Sequence, residues 1–193
     1  MPKVFISPSN QSGNTYAGID MNEAENCSAI ARLLAECLVT SGFDVRVATD
    51  GVSMQAAVMQ SNKFNPDLHI CIHTNAFNGK VFGTRIFTFS GSGKAFDCGK
   101  VIFDGLCRLI PDGVNALKQR PGLYELKNTV APAVYVEVDF HDVPDRARWL
   151  VENRERIAHN LASSICSYFG VSCPVSTTFN CPYCGHGGRR SEG

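Results

Sequence analysis

The sequence predicts an α/β protein, a single domain of three α/β/α layers around a twisted, largely parallel central sheet. Two observations predict this class. Apolar runs of strand length alternate along the chain with segments of helical length, the order that produces parallel sheets covered by helices. The 193 residues are enough for one domain with a sizeable core, and 44% hydrophobic with 19% charged residues is ordinary for a globular protein.

Five short apolar runs bounded by turn-forming residues are the predicted strands. The first run ends in Ser-Pro-Ser-Asn-Gln-Ser-Gly-Asn, which is rich in turn formers, and the third begins after the breaker Asn65-Pro66-Asp67. The predicted strands cover residues 4–6, 43–48, 68–74, 83–89 and 134–140. We expect these runs to form the central sheet.

Four segments have helical character, at residues 21–41, 53–62, 94–109 and 144–169. In the first, apolar residues recur at the spacing of a helix that packs on a core, and these are Ile30, Leu33, Leu34, Cys37 and Leu38. Beyond Val171 the periodic pattern stops. The sequence therefore predicts a folded domain over residues 1–170 and a tail over residues 171–193.

Composition excludes several classes of partner. The formal net charge is zero, which argues against nucleic acid or an anionic membrane as a general partner. No apolar run reaches the length of a membrane span, and the first residues lead straight into a strand, so we expect no signal peptide and synthesis in the cytoplasm. The nine cysteines are an odd number, and most fall inside predicted helices or strands. We expect reduced, buried thiols.

Two histidines four residues apart, His69 and His73, raise the question of a shared metal. On a helix they would face one ion together, but their segment is too short for a helix and is predicted to be a strand. In a strand they share a face and lie about 13 Å apart, at about 3.3 Å per residue. We expect His69 to pack inside the protein, whereas His73 lies at the carboxyl end of the strand, where open α/β sheets place their ligand sites.

Two glutamates are also candidates for function. Glu137 lies in the apolar run of residues 134–140, where a buried carboxylate costs several kcal/mol unless it is paired, protonated or next to a metal. The alternative for Glu137 is an edge strand with a solvated face. Glu23 opens the first helix, where an acidic residue is also explained by the helix dipole alone. Arg85 follows the His73 strand and could contact a peptide carboxylate, although a solvated strand residue is the simpler interpretation.

Three segments, in this order and spacing, resemble the zinc-dependent N-acetylmuramoyl-L-alanine amidases of the amidase_3 family. They are Glu23 with Asn26 and Ile30-Ala31, then Ile72-His73-Thr-Asn-Ala76, and Ala131-Pro-Ala-Val-Tyr-Val-Glu137 with Phe140. The resemblance covers roughly residues 3–169. It implies that Glu23 and His73 hold zinc, that Glu137 is the catalytic residue, and that the domain over residues 1–170 is the catalytic domain.

The third zinc ligand departs from the family pattern. Where the family has Asp-Pro-Gly-His-Gly, this chain has Ser7-Pro-Ser-Asn-Gln11, which resembles a divergent branch beginning Ser-Pro-Ser-x-Gln. In that branch the glutamine is the constant polar residue, so Gln11 is the preferred third ligand. Asn10 stands at the position of the family's histidine, and His141 follows Phe140. Asn10, His141, and water or no zinc at all remain the alternatives.

The resemblance implies hydrolysis of the amide bond between N-acetylmuramic acid and L-alanine in peptidoglycan, by zinc-activated water with Glu137 as general base. It implies an endolysin or autolysin, of phage, prophage or bacterial origin, that degrades the cell wall after release. Two alternatives stay open. One is a non-catalytic peptidoglycan- or muropeptide-binding module with a degraded zinc site, and the other is a zinc amide hydrolase on another substrate.

The tail carries a second group of metal-ligating residues: Cys173, Cys181, Cys184 and His186. The Cys-x-x-Cys-Gly spacing resembles half of a zinc ribbon, and no second pair follows. A small local zinc site, a metal shared between two chains, and a metal-free tail are the three interpretations.

Overall fold

The structure, a computed structural model, describes residues 1–174, and its centre is a six-stranded sheet in the order β2-β1-β3-β6-β4-β5. The strands are β1 Lys3–Pro8, β2 Asp44–Val47, β3 Leu68–Asn75, β4 Arg85–Thr88, β5 Ala116–Gln119 and β6 Ala133–Phe140. All neighbouring pairs are parallel except β4 and β6, which are antiparallel. The predicted α/β class with a largely parallel sheet is confirmed.

Helices cover both faces of the sheet. They are α1 Glu23–Thr40, α2 Met54–Phe64, α3 Lys94–Leu109, α4 Tyr124–Asn128, α5 Pro144–Glu152 and α6 Arg154–Phe169. Helices α1 and α3 both pack against α6 on one face, and α2 and α4 pack together on the other. Within the described residues, no helix is both long enough and apolar enough to cross a membrane.

The two faces of the sheet differ in chemistry. The face under α1, α3 and α6 is apolar and forms the main core, to which the inner strands contribute Val4, Ile6, Leu68, Ile70, Ile72, Ile86, Val134, Val136 and Val138. Because side chains alternate along a strand, the intervening residues point to the other face. These include Ser7, His69, Cys71, His73, Tyr135 and Glu137. The polar residues of the sheet therefore lie together under the short helices α2 and α4.

Two short elements and one helix break differ from the sequence-based expectations. Strand β5 and helix α4 were not predicted, because four and five residues are too few to show a periodic pattern. The segment 144–169, predicted as one helix, is two helices that meet at Asn153. The side chain of Asn153 donates to Trp149 O and accepts from Arg156 Nη1, and such local side-chain bonds compete with the helical pattern.

A bulge ends the pairing of β3 with β6. His73 lies opposite Glu137, but Asn75 lies opposite Phe140, so β6 contains one extra residue. An extra residue bends the strand and changes which face its last side chain points to. Phe140 is thereby placed on the same face as Glu137.

Candidate active site

The centre of the candidate site is a hydrogen-bonded pair, His73 and Glu23. His73 Nδ1 and Glu23 Oε1 lie 2.9 Å apart, and the two residues are only 4% and 1% exposed. Glu23 is the first residue of α1, whose start is fixed by a capping box between Asn22 and Glu25. Because α1 packs across β1 and β3, its first turn lies at the carboxyl end of β3. The structure therefore brings together two of the predicted ligands.

Asn14 holds the second oxygen of Glu23 and was not predicted from the sequence. Its Nδ2 donates to Glu23 Oε2 at 2.7 Å, while its backbone carbonyl accepts from Glu23 N at 2.9 Å. Burial acts to raise the pKa of Glu23, but hydrogen bonds from His73 and Asn14 and the charge of His73 outweigh it, so the pKa lies below its usual value. The pair thus contains an ionised carboxylate at neutral pH.

The turn after β1 places Gln11, and not Asn10, beside the pair. Gln11 Nε2 lies 3.5 Å from His73 Nδ1, and Gln11 Oε1 accepts from Asn14 Nδ2 at 3.0 Å. A half-turn of the amide presents its oxygen to the same point. The side chain of Asn10 instead donates to Val52 O at 2.8 Å on the exposed side of the turn.

His141 lies in a buried network next to the pair. Its Nδ1 is 2.9 Å from Thr74 Oγ1, and its ring stacks on Tyr16 with 5.0 Å between centroids. Tyr16 OH in turn bonds Thr74 and Asn26, both at 3.0 Å. Burial lowers the pKa of His141. The ring is held by Thr74, the residue after His73, and makes no hydrogen bond to His73 or Glu23 among the contacts of the described residues.

Glu137 stands next to the pair with an unsatisfied oxygen. It is the register partner of His73 on the neighbouring strand, and Tyr135, one position lower on the same face, stacks on the His73 ring at 4.3 Å. Glu137 Oε2 is buried and has no hydrogen-bond partner within the described part of the chain, although the residue as a whole keeps some exposure. Burial raises the pKa of Glu137 to about 7, against the opposing charges of His73 and Arg120. Such a carboxyl group can both take and give a proton near neutral pH.

A second polar group, deeper under the same face, joins His69, Cys71 and Glu125. Their ligand atoms lie within 4.8 Å of one another, and all three residues are buried, so the group could hold a metal ion. His69 Nε2 lies 3.2 Å from Glu125 Oε1, which also accepts from Ser7 Oγ at 2.5 Å, and His69 Nδ1 lies 2.9 Å from Ser61 Oγ. The expected packing of His69 inside the protein agrees with its complete burial, but its partner Glu125 lies on the unpredicted helix α4.

The donor atoms around His73 fit a zinc ion. Imidazole nitrogen, carboxylate oxygen and amide oxygen are all donors that zinc accepts, and they come from His73, Glu23 and Gln11. The buried Oε2 of Glu137 lies beside them and has no hydrogen-bond partner among the described residues. A water molecule or the substrate would supply that partner. Of the predicted residues in the tail, Cys173 is described and lies 3.9 Å from Ser41 Oγ, whereas Cys181, Cys184 and His186 lie outside the described residues.

Fold and site together define the class of the protein: an α/β enzyme that carries its polar residues at the carboxyl edge of a largely parallel sheet. The profile of the N-acetylmuramoyl-L-alanine amidase family, Amidase_3, matches residues 8–167, and the chain belongs to this family. The family expected from the sequence is thereby confirmed.

Known proteins resemble this chain in sequence or in fold. The chain is 30% identical over 139 residues to the "Uncharacterized 38.4 kDa protein" of Clostridium perfringens, a match that covers 67% of this chain and 40% of that protein. It thus spans about two fifths of that relative. Among solved structures it resembles the N-acetylmuramoyl-L-alanine amidase AmiC2 of Nostoc punctiforme, with a TM-score of 0.79, 20% identity, and 88% and 97% of the two chains covered.

Two further structures have the same fold. The catalytic domain of CwlV, an N-acetylmuramoyl-L-alanine amidase from Bacillus (Paenibacillus) polymyxa var. colistinus, matches with a TM-score of 0.80 at 18% identity, covering 89% of this chain and 100% of that chain. The catalytic domain of the CD27L endolysin targeting Clostridia Difficile matches with a TM-score of 0.72 at 24% identity, covering 86% and 98%. At these identities the likeness establishes the three-layer fold.

Proposed function

We propose that this chain hydrolyses the amide bond between N-acetylmuramic acid and L-alanine in bacterial peptidoglycan. The observation that carries the proposal is the buried, unpartnered Oε2 of Glu137 beside the His73–Glu23 pair, in a chain that belongs to the amidase family. A buried carboxylate without a partner is costly to maintain, and such groups cluster where a reacting group will supply the missing contact.

Zinc is the proposed cofactor, held by Glu23, His73 and Gln11. When bound there, it would lower the pKa of a water molecule and polarise the carbonyl of the scissile amide. The contacts of the turn support Gln11 over Asn10 as the third ligand, because only Gln11 lies within reach of His73. His141 is a weaker candidate, because its ring contacts Tyr16 and Thr74 rather than His73 or Glu23.

The chain's own residues would perform the proton transfers. Glu137 Oε2 takes a proton from the attacking water and passes it to the nitrogen of the leaving amine. Asn14 keeps Glu23 in place through its hydrogen bond to Oε2. The Tyr135 ring, stacked on His73, fixes the orientation of the imidazole. Positioning of this kind is a large part of what an active site supplies.

A digest of purified peptidoglycan tests the proposal. The zinc-loaded protein, incubated with and without a chelator, should release stem peptides with a free L-alanine amino terminus, and the chelator should abolish their release. Mass spectrometry detects these peptides. Intact glycopeptide after incubation with folded, zinc-loaded protein would favour another amide substrate. Intact glycopeptide with folded protein that does not retain zinc would favour a binding module.

The remaining expectations follow the same proposal. Peptidoglycan is the proposed partner, the catalytic domain is proposed to cover residues 1–170, and the proposed place of action is the cell wall after release. A single domain is consistent with the continuous core that links α1, α6 and the inner strands. Whether the tail residues bind a second metal remains a separate prediction.

A further inference from the structure

Arg85 lies in one row with the residues of the candidate site. On one side of Glu137 the parallel register places His73, and on the other side the antiparallel register places Arg85 directly opposite Glu137. Residues directly opposite each other on neighbouring strands share a face of the sheet. His73, Glu137 and Arg85 therefore follow one another across three adjacent strands, with the carboxylate in the middle.

Within the described part of the chain, the guanidinium group of Arg85 has no carboxylate partner. Its Nη1 donates to Thr84 O at 3.0 Å, and its charge lies 5.3 Å from the centroid of the Phe140 ring, which the β6 bulge has turned to this face. Among residues 1–174 no carboxylate oxygen lies within ion-pair distance of it. Asp139, whose charge reaches Arg85, is engaged by Arg146 and by the backbone N–H of Gly83. The Arg85 guanidinium therefore keeps free donors.

Arg120 provides a second cation on the same side. It lies just beyond β5, and its charge is 5.0 Å from the centroid of the Phe87 ring, two residues along β4 from Arg85. Its positive charge is felt at Glu137, where it acts to lower the pKa of that carboxyl group. No ion pair of Arg120 is present in the described part of the chain either. Two arginines held over aromatic rings thus flank the β4 side of Glu137, and neither has an anionic partner among residues 1–174.

We infer that Arg85, assisted by Arg120, binds a carboxylate on the peptide part of the substrate. This inference rests on the proposed function. Glu137 delivers its proton to the leaving nitrogen, and the peptide continues from that nitrogen. The pair of His73 and Glu23 occupies the opposite side of Glu137, so the peptide passes over β4 and β5, where the two guanidinium groups lie. Guanidinium groups bind carboxylates through paired, charge-assisted hydrogen bonds.

The chemistry of the stem peptide identifies which carboxylate is meant. The residue after L-alanine is a D-glutamate joined to the next residue through its side chain, so its α-carboxylate is free. In amidated peptidoglycan this group is a neutral carboxamide. The subsite made by Arg85 and Arg120 would therefore make the enzyme prefer the free acid over the amidated form.

A matched pair of soluble substrates tests the inference. One is N-acetylmuramoyl-L-alanyl-γ-D-glutamyl-L-lysine amide, and the other has D-isoglutamine in place of D-glutamate, so that they differ in one carboxylate. We expect the zinc-loaded wild type to cleave the acid with a kcat/KM roughly 10- to 100-fold higher, the range for a hydrogen-bonded charge. The Arg85→Met variant should lose most of this preference, because cleavage of the acid slows much more than cleavage of the carboxamide. Arg120→Met should lose a smaller part.

Two controls separate recognition from a structural effect. Arg46 also lies over an aromatic ring, 4.5 Å from the Phe64 centroid, but on the far strand β2, so Arg46→Met should leave both rates and their ratio unchanged. The Arg85→Lys variant keeps a charge without the planar fork and should restore part of the preference. Circular dichroism melts check that each variant is folded.

Binding gives a readout that does not depend on turnover. Calorimetry with the Glu137→Gln variant should show tighter binding of the acid than of the carboxamide, and addition of Arg85→Met should remove the difference. If the wild type cleaves both substrates equally, or if Arg85→Met keeps the preference, this inference is wrong while the proposed function stands. If the folded, zinc-loaded wild type neither cleaves nor binds either substrate, the proposed function fails and this inference fails with it.

Discussion

Two histidine–glutamate pairs lie on the same face of the central sheet, and they differ in what surrounds them. His73 with Glu23 lies at the carboxyl end of β3, and His69 with Glu125 lies four residues earlier. Both pairs are nearly or completely buried. Beside the first pair stands Glu137, one of whose carboxylate oxygens has no partner within residues 1–174, whereas the second pair has hydrogen-bond partners on both sides.

The difference teaches that a buried histidine–carboxylate pair does not by itself mark an active site. His69 and Glu125 tie β3 to α2 and α4, because Ser61 belongs to α2 and Glu125 to α4. Burial acts to raise the pKa of Glu125, but hydrogen bonds from His69 and Ser7 outweigh it and lower the pKa below its usual value. The His73–Glu23 pair has different surroundings, with the amide of Gln11 on one side and the half-buried Glu137 on the other. The buried Glu137 oxygen that has no hydrogen-bond partner among the described residues is what distinguishes the site.

The largest expected effect is the loss of activity when Glu137 is replaced. This carboxylate stands beside the His73–Glu23 pair and not beside the His69–Glu125 pair. Glu137→Gln keeps the size of the side chain but cannot transfer a proton, so kcat for peptidoglycan hydrolysis should fall by roughly 10²- to 10⁴-fold. The measurement is the release of stem peptides over time, with circular dichroism and zinc content as controls for folding and metal binding. The exposed Glu36 provides a matched control, because Glu36→Gln should retain full activity. Retained activity in folded Glu137→Gln would remove the proposed role of Glu137.

The next effect is a difference between the two pairs in how much each contributes to the stability of the protein. His69→Ala leaves Glu125 buried without its main partner, so the free energy of unfolding should fall by about 3–5 kcal/mol, as for other broken buried pairs. His73→Ala should cost less, about 1–3 kcal/mol, because Glu23 keeps its bonds to Asn14. Urea unfolding of the two variants measures both values.

The zinc content of the same two variants should rank them in the opposite order to their loss of stability. His73→Ala should lose one equivalent of zinc relative to the wild type, and His69→Ala should lose none, because hydrogen bonds already engage both ring nitrogens of His69. Loss of an equivalent from His69→Ala would show that the group of His69, Cys71 and Glu125 holds a metal of its own. Comparing variants of the full chain cancels any zinc bound by the tail.

The smallest expected effect is on the acid limb of stability. Because the pKa of Glu125 is lower in the folded protein, its contribution to stability is present above the unfolded value of about 4.3 and is lost as the pH falls through the folded value. Glu125→Gln removes this contribution, so its stability should depend less steeply on pH below about 5 than that of the wild type. Thermal melts between pH 3 and pH 7, at about half-unit steps, measure the slopes. The same slope in both proteins would contradict the assignment, and Glu36→Gln is the control for removal of a carboxyl group.

Apolar runs in the sequence predicted the long central strands and made the unusual residues within them visible. The runs that became β3 and β6 were visible as apolar segments, and a carboxylate in a buried strand identified Glu137 as unusual. The strand-end position of His73 was also visible. Strand β5, helix α4 and the break at Asn153 were not, because short elements and side-chain competition leave no periodic signal. Glu125 was missed for the same reason.

The α/β class and the order of five of the six strands follow from the sequence alone, because hydrophobic periodicity acts between residues a few positions apart. The partners inside the site depend on the tertiary structure. Glu23 meets His73 across 50 residues, and Glu125 meets Ser7 across 118. Such distances are set by strand register and by where each helix packs, so only the folded chain shows that Glu125 is satisfied while Glu137 keeps an oxygen free.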